Sequence, residues 1–181
     1  MADLALARRY AQALFDTARK GGTIERVETD LETIDALIRT QPNLLRVLRS
    51  PVIARPQKKE LVRRLFERQV SNLTLRFLYL LIDKRREAVL PEVNRQFRTL
   101  SYEAENILPV TATVARRLTP EERAHLAEAL GHRTGKSIDL AEEVDPELIG
   151  GVVLRLGDTI IDGSVAGQLR RLRQRFLAGT T

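Results

Sequence analysis

The stretch GGVVLRLGDTIIDGS, residues 150–164, combines residue types that could form a ligand-binding or catalytic loop. Its glycines could let the backbone approach a ligand closely, and Asp158 and Asp162 could act as a general acid or base. Such chemistry needs a second poised group, and no histidine or cysteine stands nearby in the sequence. We therefore interpret the glycines and acids of this stretch as structural.

The same stretch is typical of a β-hairpin. Gly157-Asp158 suits a two-residue loop of type II′, which places glycine at the first central position. The strand pairs that this loop predicts are Leu156 with Thr159, Arg155 with Ile160, and Leu154 with Ile161.

The residues that follow the hairpin loop also have predicted structural roles. Arg155 would lie diagonally across the hairpin from Asp162, close enough for a cross-strand ion pair. Gly163 would let the chain turn, and Ser164 would cap the last helix.

A second candidate site, GHRTGKS at residues 131–137, resembles a phosphate-binding loop. The motif GxxxxGK[ST] requires four residues between its glycines, and only three are present. The motif also leaves a strand and enters a helix, whereas here a helix precedes and a strand follows. We interpret the segment as a helix stop at Gly131 and a connection.

The remaining candidates for chemistry are two histidines, His125 and His132. Their seven-residue spacing could place both on one helix face, but no cysteine exists in the chain and no acidic third ligand is evident. We expect solvent-exposed histidines, no metal site, no cofactor and no catalytic residues. The chain is predicted not to be an enzyme.

Composition indicates a folded protein without disulfides. The 181 residues are 43% hydrophobic and 30% charged, with no cysteine, and the net charge is +6. Residues 1–105 contain 20 basic and 14 acidic side chains, whereas residues 106–181 contain ten of each. No signal peptide is expected. The most apolar run, residues 73–82, is interrupted by Arg76 and is far below the ~20 residues that cross a bilayer.

Residues 4 to about 104 show apolar residues at helical spacing and almost no alternation of apolar and polar residues. This pattern predicts six helices with short connections, which is typical of a compact bundle. The apolar stripes lie within residues 4–18, 27–38, 44–48, 61–70, 73–83 and 90–104.

Two of these helices have more apolar surface than a single stripe needs. The helix at residues 73–82 is apolar almost all round, so it is either the central helix of the bundle or part of a groove for another helix. The first helix offers a second face beside its stripe, composed of Leu6, Tyr10, Ala13 and Thr17.

After Asn106 the pattern changes. Apolar and polar residues alternate over residues 108–114, which predicts a half-buried strand. The sequence TPEE at 119–122 predicts the start of a helix, and Ile138 and Leu140 suggest a second strand.

The fold class that follows is α+β and mostly α. Residues 1–105 are expected to form an N-terminal six-helix bundle. Residues 106–181 are expected to form a small C-terminal α/β domain with a β-hairpin and a terminal amphipathic helix.

Three segments of the chain are similar to the delta subunit of F-type ATP synthases, whose mitochondrial counterpart is the oligomycin sensitivity-conferring protein. They are ARRYAQALFDTA at 7–18, LIDKRREAVLPEVNRQF at 81–97 and LIGGVVLRLGDTIIDGSVAGQLRRL at 148–172. The resemblance covers essentially the whole chain, and the last segment is the most specific. It implies a non-catalytic stator subunit of the peripheral stalk, which links the catalytic head to the b subunits so that rotor torque is coupled to ATP synthesis.

The resemblance also implies partners and contact residues. In the family, the first and fifth helices form a groove for the N-terminal helix of an alpha subunit, and the C-terminal domain meets the b subunits. The matching groove positions are Tyr10, Ala13, Leu14, Phe77, Leu80 and Leu81. The contact with the b subunits maps to Leu169, Leu172 and Phe176.

The resemblance further implies one copy of the protein per complex. The protein is expected to be peripheral, on the cytoplasmic (or stromal or matrix) face of an energy-transducing membrane, and the bacterial plasma membrane is the expected setting. Membrane contact would arise only through the complex, and no nucleic acid would be bound. The alternative is a basic adaptor that binds nucleic acid or anionic lipid through the positively charged helical bundle and the acid-free segment 164–181, with Arg170, Arg171, Arg173 and Arg175.

Overall fold

The computed structural model describes the backbone of residues 2–157 and 159–178. Within these ranges it leaves out the side chains of residues 2, 3, 173 and 175–178. Eight α-helices and four β-strands lie in the described part of the chain. They are α1 (Ala2–Lys20), α2 (Ile24–Thr40), α3 (Pro42–Arg49), α4 (Arg55–Phe66), α5 (Asn72–Asp83), α6 (Leu90–Ala104), β1 (Ile107–Val114), α7 (Pro120–Thr134), β2 (Ser137–Val144), β3 (Val152–Leu156), β4 (Thr159–Asp162) and α8 (Val165–Ala178).

The chain divides into two compact units, one that runs to Ser101 and a second that begins at Tyr102. The first unit is helical, with a short 3-10 turn at Glu87–Val89 before α6. The second contains the four strands together with α7 and α8. The molecule is therefore mostly α with a small β-sheet, as the sequence predicts.

The first unit is built around one apolar core to which α1 to α6 all contribute. The stripe of α1 is buried from Ala7 to Ala18, and small residues such as Ala7 and Ala11 allow close helix packing. Phe15 of α1 meets Phe97 of α6 edge to face, with ring centroids 5.7 Å apart. Edge-to-face aromatic pairs contribute about 0.5–1.5 kcal/mol beyond the area that they bury.

A buried carboxylate fixes where α5 begins. Asp30 of α2 is 1% exposed, and its Oδ2 accepts hydrogen bonds from the Ser71 backbone N–H at 2.7 Å and the Thr74 hydroxyl at 2.8 Å. Ser71 is the N-cap of α5, and its hydroxyl accepts from the Thr74 N–H. Arg26 lies one turn before Asp30, with Nε 3.1 Å from Oδ1. The start of α5 is thus held to the middle of α2.

A buried ion pair connects α4 to the 3-10 turn. The Lys58 ammonium donates to Glu87 Oε1 at 2.8 Å, and both side chains are at least nine-tenths buried. Because each charge would be costly to bury alone, loss of either partner leaves the other uncompensated. The pair therefore holds the 3-10 turn against α4 just before α6 begins.

The sequence predicts that α5 is either the central helix of the bundle or part of a groove for another helix. Phe77, Leu78, Leu81 and Ile82 are buried in the core, whereas Leu80 is 43% exposed. The helix is thus largely internal but keeps one apolar side chain at the surface.

The second unit contains a four-stranded sheet with the strand order β2-β1-β3-β4. The α7 crossover makes β1 and β2 parallel, whereas β3 runs antiparallel to both β1 and β4. One face of the sheet carries the second core, in which Leu130 of α7 joins Val110, Ala112, Leu140 and Leu154.

Both ends of α7 are capped. Thr119 accepts from the Glu122 N–H, and Glu122 Oε2 accepts from the Thr119 N–H. Hydrogen bonds from Arg116 and then from Thr119 lower the pKa of Glu122 to about 2. The predicted stop at Gly131 is wrong, because the helix continues to Thr134 and ends at Gly135, whose φ of +68° suits glycine.

We predict that Asp30→Ala lowers the free energy of unfolding of the first unit by about 2–4 kcal/mol, because it removes the charged acceptor shared by the part-buried Ser71 N–H and the buried Thr74 hydroxyl. Urea denaturation followed by circular dichroism measures this change. Asp16→Ala is the matched control, since Asp16 is 41% exposed in an ion pair with Arg19 and should contribute about 0–0.5 kcal/mol. Equal losses in both variants would contradict the role of Asp30.

Candidate functional site

The face shared by α1 and α5 is the first candidate surface. Tyr10 and Phe77 meet edge to face, with ring centroids 6.4 Å apart and an interplanar angle of 71°. This contact joins the second face of α1 to α5. The sequence-predicted groove helices are thus neighbours in the structure.

The six residues predicted for the groove divide by exposure. Ala13 and Leu80 are exposed and Tyr10 is half-buried, so these three offer apolar surface to a partner. Phe77, Leu14 and Leu81 are 6%, 3% and 1% exposed. The side chains of these three buried residues lie on the core-facing sides of the two helices, and their part in the groove stays a prediction.

The hairpin of β3 and β4 has the predicted register. Leu154 pairs with Ile161, Arg155 with Ile160, and Leu156 with Thr159. Gly157 has a φ of +60°, a backbone conformation that favours glycine in the hairpin loop. Asp158, the second loop position, lies outside the described residues.

The turn after the hairpin is organised by Asp162. Its Oδ1 accepts from the Ser164 N–H at 2.9 Å and from the Ser164 hydroxyl at 2.6 Å. Ser164 in turn accepts from the Gly167 N–H at 3.0 Å, so it caps α8 as predicted. These bonds from Ser164, with Arg171 and Arg170 nearby, lower the pKa of Asp162.

The predicted ion pair between Arg155 and Asp162 is wrong. Within the described part of the chain, the cation paired with Asp162 is Arg170, at 3.9 Å. The carboxylate is drawn toward the Ser164 donors at the start of α8, whereas Arg155 is exposed on the sheet. Asp162 therefore serves the helix start rather than the hairpin.

Glycines are required around this turn because the backbone segments approach closely. A Cβ on Gly151, whose φ is +82°, would lie 2.5 Å from the Gly163 carbonyl oxygen. A Cβ on Gly163 would lie 2.9 Å from the Val152 carbonyl oxygen, and one on Gly167 would collide with Asp162 Oδ2. These glycines and Asp162 thus shape the turn between the hairpin and α8.

The second candidate surface is the apolar stripe of α8. Val165, Leu169 and Leu172 are 40%, 59% and 50% exposed. Gly167 lies on another side of the helix, where it is buried against Asp162. Phe176 belongs to the helix, but its side chain lies outside the described residues.

Two further exposed apolar residues of the second unit were not singled out in the sequence. Ile149 is 81% exposed, and it precedes Gly150, whose carbonyl accepts from the Val165 N–H at 3.0 Å. Ile160 on β4 is 61% exposed. Neither has a sequence signal, because both stand in apolar runs whose other members are equally good candidates for burial.

The candidates for chemistry stay apart in the structure. His125 and His132 are both exposed on α7. Among the described residues, no group of three or more histidine, cysteine, aspartate or glutamate side chains could hold a metal ion. Within the same residues, no helix combines the length and apolar character needed to span a bilayer.

A charged cleft of about 390 Å³ lies between α2 and α6. Two of its cations are engaged by local acids, with Arg39 2.7 Å from Asp35 and Arg95 3.1 Å from Glu92. Arg39 and Arg95 are thus paired within their own helices.

The chain is similar to known proteins over almost its whole length. Residues 6–176 match the family model described as ATP synthase delta (OSCP) subunit. The chain is 41% identical over 169 residues to a protein of Desulforudis audaxviator named ATP synthase subunit delta, covering 93% of each chain. It is 37% identical over 176 residues to a protein of the same name from Syntrophomonas wolfei, covering 97% of each.

A solved structure has a similar fold. A chain in the cryo-EM structure of the Toxoplasma gondii mitochondrial ATP synthase hexamer superposes with a TM-score of 0.72 at 28% sequence identity. The match covers 95% of this chain and 97% of that one.

We predict that Gly167→Ala destabilises the second unit by about 1–3 kcal/mol, because the added Cβ would collide with the Asp162 carboxylate. Helix propensity alone predicts the opposite sign, a gain of up to about 1 kcal/mol. Urea denaturation measures the difference. In the background of Asp162→Ala the same substitution should be neutral or stabilising, and a loss of equal size in both backgrounds would contradict the close contact.

Proposed function

The chain belongs to the ATP synthase delta (OSCP) subunit family and is a peripheral-stalk component of an F-type ATP synthase, and we propose that it serves there as a non-catalytic stator subunit. In this role it connects the N-terminal helix of an alpha subunit to the b subunits, with one copy in each complex. The similarity over residues 6–176 is the observation that carries the proposal.

The two parts of the chain are proposed to bind different partners. Residues 1–105, as a six-helix bundle, receive the alpha-subunit helix, and residues 106–181 bind the b subunits. The exposed apolar surfaces described above occur in both parts of the chain. Each part thus offers a surface of the kind that protein partners cover.

The alpha-subunit helix is proposed to lie along the α1–α5 surface. Ala13 is small, so a helix can approach α1 closely, while Tyr10 and Leu80 provide apolar side chains beside it. Phe77, Leu14 and Leu81 support these contacts from the core. Helix-in-groove recognition of this kind depends on apolar anchors along one face of the incoming helix.

Burial of this surface can supply the attachment without any chemistry. Apolar area removed from water contributes about 25 cal/mol per Å², so about 500 Å² would give roughly 12 kcal/mol before the cost of association. That cost is about 4–15 kcal/mol, which is as large as the gain from burial. A rigid support behind the groove lowers the cost, because fewer groups have to be ordered when the helix binds. The buried anchoring of α5 by Asp30 provides such rigidity.

The b subunits are proposed to cover the apolar stripe of α8. Leu169 and Leu172 are among the most exposed apolar side chains of the second unit, and Phe176 continues their spacing along the helix. A helix of a b subunit that packs on this stripe would remove them from water. The hairpin turn sets the direction in which α8 starts, through Asp162, Ser164 and Gly167.

The mechanical role follows from these two attachments. Rotation of the rotor inside the head exerts torque on the alpha and beta subunits, so the head must be held against rotation relative to the membrane sector. The proposed subunit transmits this reaction force through folded protein and buried contacts. It lies on the cytoplasmic face of a bacterial plasma membrane, or on the equivalent stromal or matrix face, and meets the membrane only through the complex.

We predict that Leu80→Asp abolishes binding of a peptide from the N-terminal helix of the cognate alpha subunit, because it places a charge in the apolar contact. Isothermal titration calorimetry at low and high salt measures the affinity. Wild-type binding should be stoichiometric and should persist at high salt. Val52→Asp is the matched control, since Val52 is 90% exposed in the same unit and outside the α1–α5 surface. Normal binding by Leu80→Asp would contradict the groove assignment.

A separate prediction concerns the surface proposed for the b subunits. Leu169→Asp combined with Leu172→Asp should lower the affinity for the C-terminal region of the cognate b chains at least about a hundredfold. The reason is that each charge replaces an apolar side chain that the b chains would bury in the complex. Gln174→Asp is the control for one added charge on a different side of the same helix. Pull-down and calorimetry measure the affinity, and equal binding by all three proteins would place the attachment of the b chains elsewhere.

The acid-free basic segment at the end of the chain supports a second candidate, a basic adaptor for nucleic acid or anionic lipid. Arg170 and Arg171 are exposed on α8. Binding to phosphates would fall steeply with salt because it releases counterions. A titration with duplex DNA and with anionic vesicles at low and high salt separates this function from the stator role.

A further inference from the structure

Four basic residues form a rim along the α1–α5 surface. Arg76 and Lys84 stand four residues before and four residues after Leu80, so all three lie along one side of α5 and just beyond its end. On α1, Arg9 precedes Ala13 by four residues and Lys20 follows it by seven. All four cations are exposed.

These four cations are available to a partner. Among the residues that the structure describes, none of the four forms a hydrogen bond or ion pair through its side chain. Two acids on the same helices have other partners, since Asp16 pairs with Arg19 at 3.4 Å and Asp83 pairs with Lys59 at 2.7 Å. The rim therefore presents uncompensated positive charge on both sides of the apolar contact.

We infer that the helix that binds the α1–α5 surface carries acidic residues on both flanks of its apolar stripe. This inference rests on the proposed function, and it specifies the chemistry of the partner helix. Carboxylates at the flanks would approach the Arg9 and Lys20 side on one edge and the Arg76 and Lys84 side on the other. A helix with basic flanks would meet like charges at four positions and be rejected.

The exposure of the rim determines how this charge acts. Solvent-exposed pairs add little affinity at high salt, because the Debye length falls from about 14 Å at 50 mM to about 4 Å at 500 mM salt. Their main effect is to steer the encounter, so the association rate should change more than the dissociation rate. The apolar contacts still hold the complex at high salt.

The test uses the full chain and a synthetic peptide of the N-terminal helix of the cognate alpha subunit. The variant reverses two rim charges, Arg76→Glu with Lys84→Glu. The matched control, Arg46→Glu with Arg68→Glu, makes the same change in net charge at exposed positions outside α1 and α5. A second peptide replaces each Asp and Glu by Asn and Gln.

We expect the rim variant to bind the peptide about tenfold more weakly at about 50 mM salt and only about twofold more weakly at about 500 mM, with most of the change in the association rate. The control variant should stay within about twofold of the wild type. The amide peptide should bind the rim variant and the wild type with nearly equal affinity.

Three outcomes separate the possible failures. Equal weakening by the rim variant and the control would show an effect of net charge alone and overturn the inference. If neither the rim variant nor the control variant changes peptide binding, the inference is also overturned, while the proposed groove stays intact. Failure of the wild type to bind the peptide at either salt concentration would overturn the groove itself, and the inference with it.

Discussion

The buried carboxylate of Asp30 is the constraint on which the geometry of the first unit depends. It lies 1% exposed in α2, yet it accepts hydrogen bonds from the N-cap residue of α5 and from Thr74 one turn further on. Apolar packing is not directional and would tolerate a helix that slides or rotates. The hydrogen bonds are directional, so they set both the start and the rotation of α5. That rotation places Leu80 at the surface and Leu81 in the core.

In the second unit, glycines determine the path of the chain from the hairpin into α8. The chain leaves the hairpin, turns through Gly163 and starts α8 within a few residues, and its backbone passes so close to Gly151 that no side chain fits there. Asp162 and Ser164 supply the hydrogen bonds that this turn needs. The result is a defined direction for α8, whose buried side faces Asp162 and whose apolar stripe faces solvent.

Both units thus use internal polar contacts to orient apolar surface outward. An exposed apolar stripe costs free energy in the isolated chain, and this free energy is recovered when a partner covers the stripe. This arrangement fits a component that transmits force. Rigid supports behind a contact surface reduce the entropy lost on binding and keep the contact in register.

The sequence by itself determined the helical spacing, the hairpin register and the caps at the starts of α7 and α8, because these depend on residues close together in the chain. It also carried the family resemblance through segments such as residues 148–172. Only the tertiary structure decided that Asp162 serves α8 rather than Arg155, that α7 passes through Gly131, and that Leu14 and Leu81 are interior. The first two depend on which of several local hydrogen bonds and helix ends the folded backbone adopts, and the third on how α1 and α5 pack, because periodicity cannot specify how far a helix rotates about its own axis.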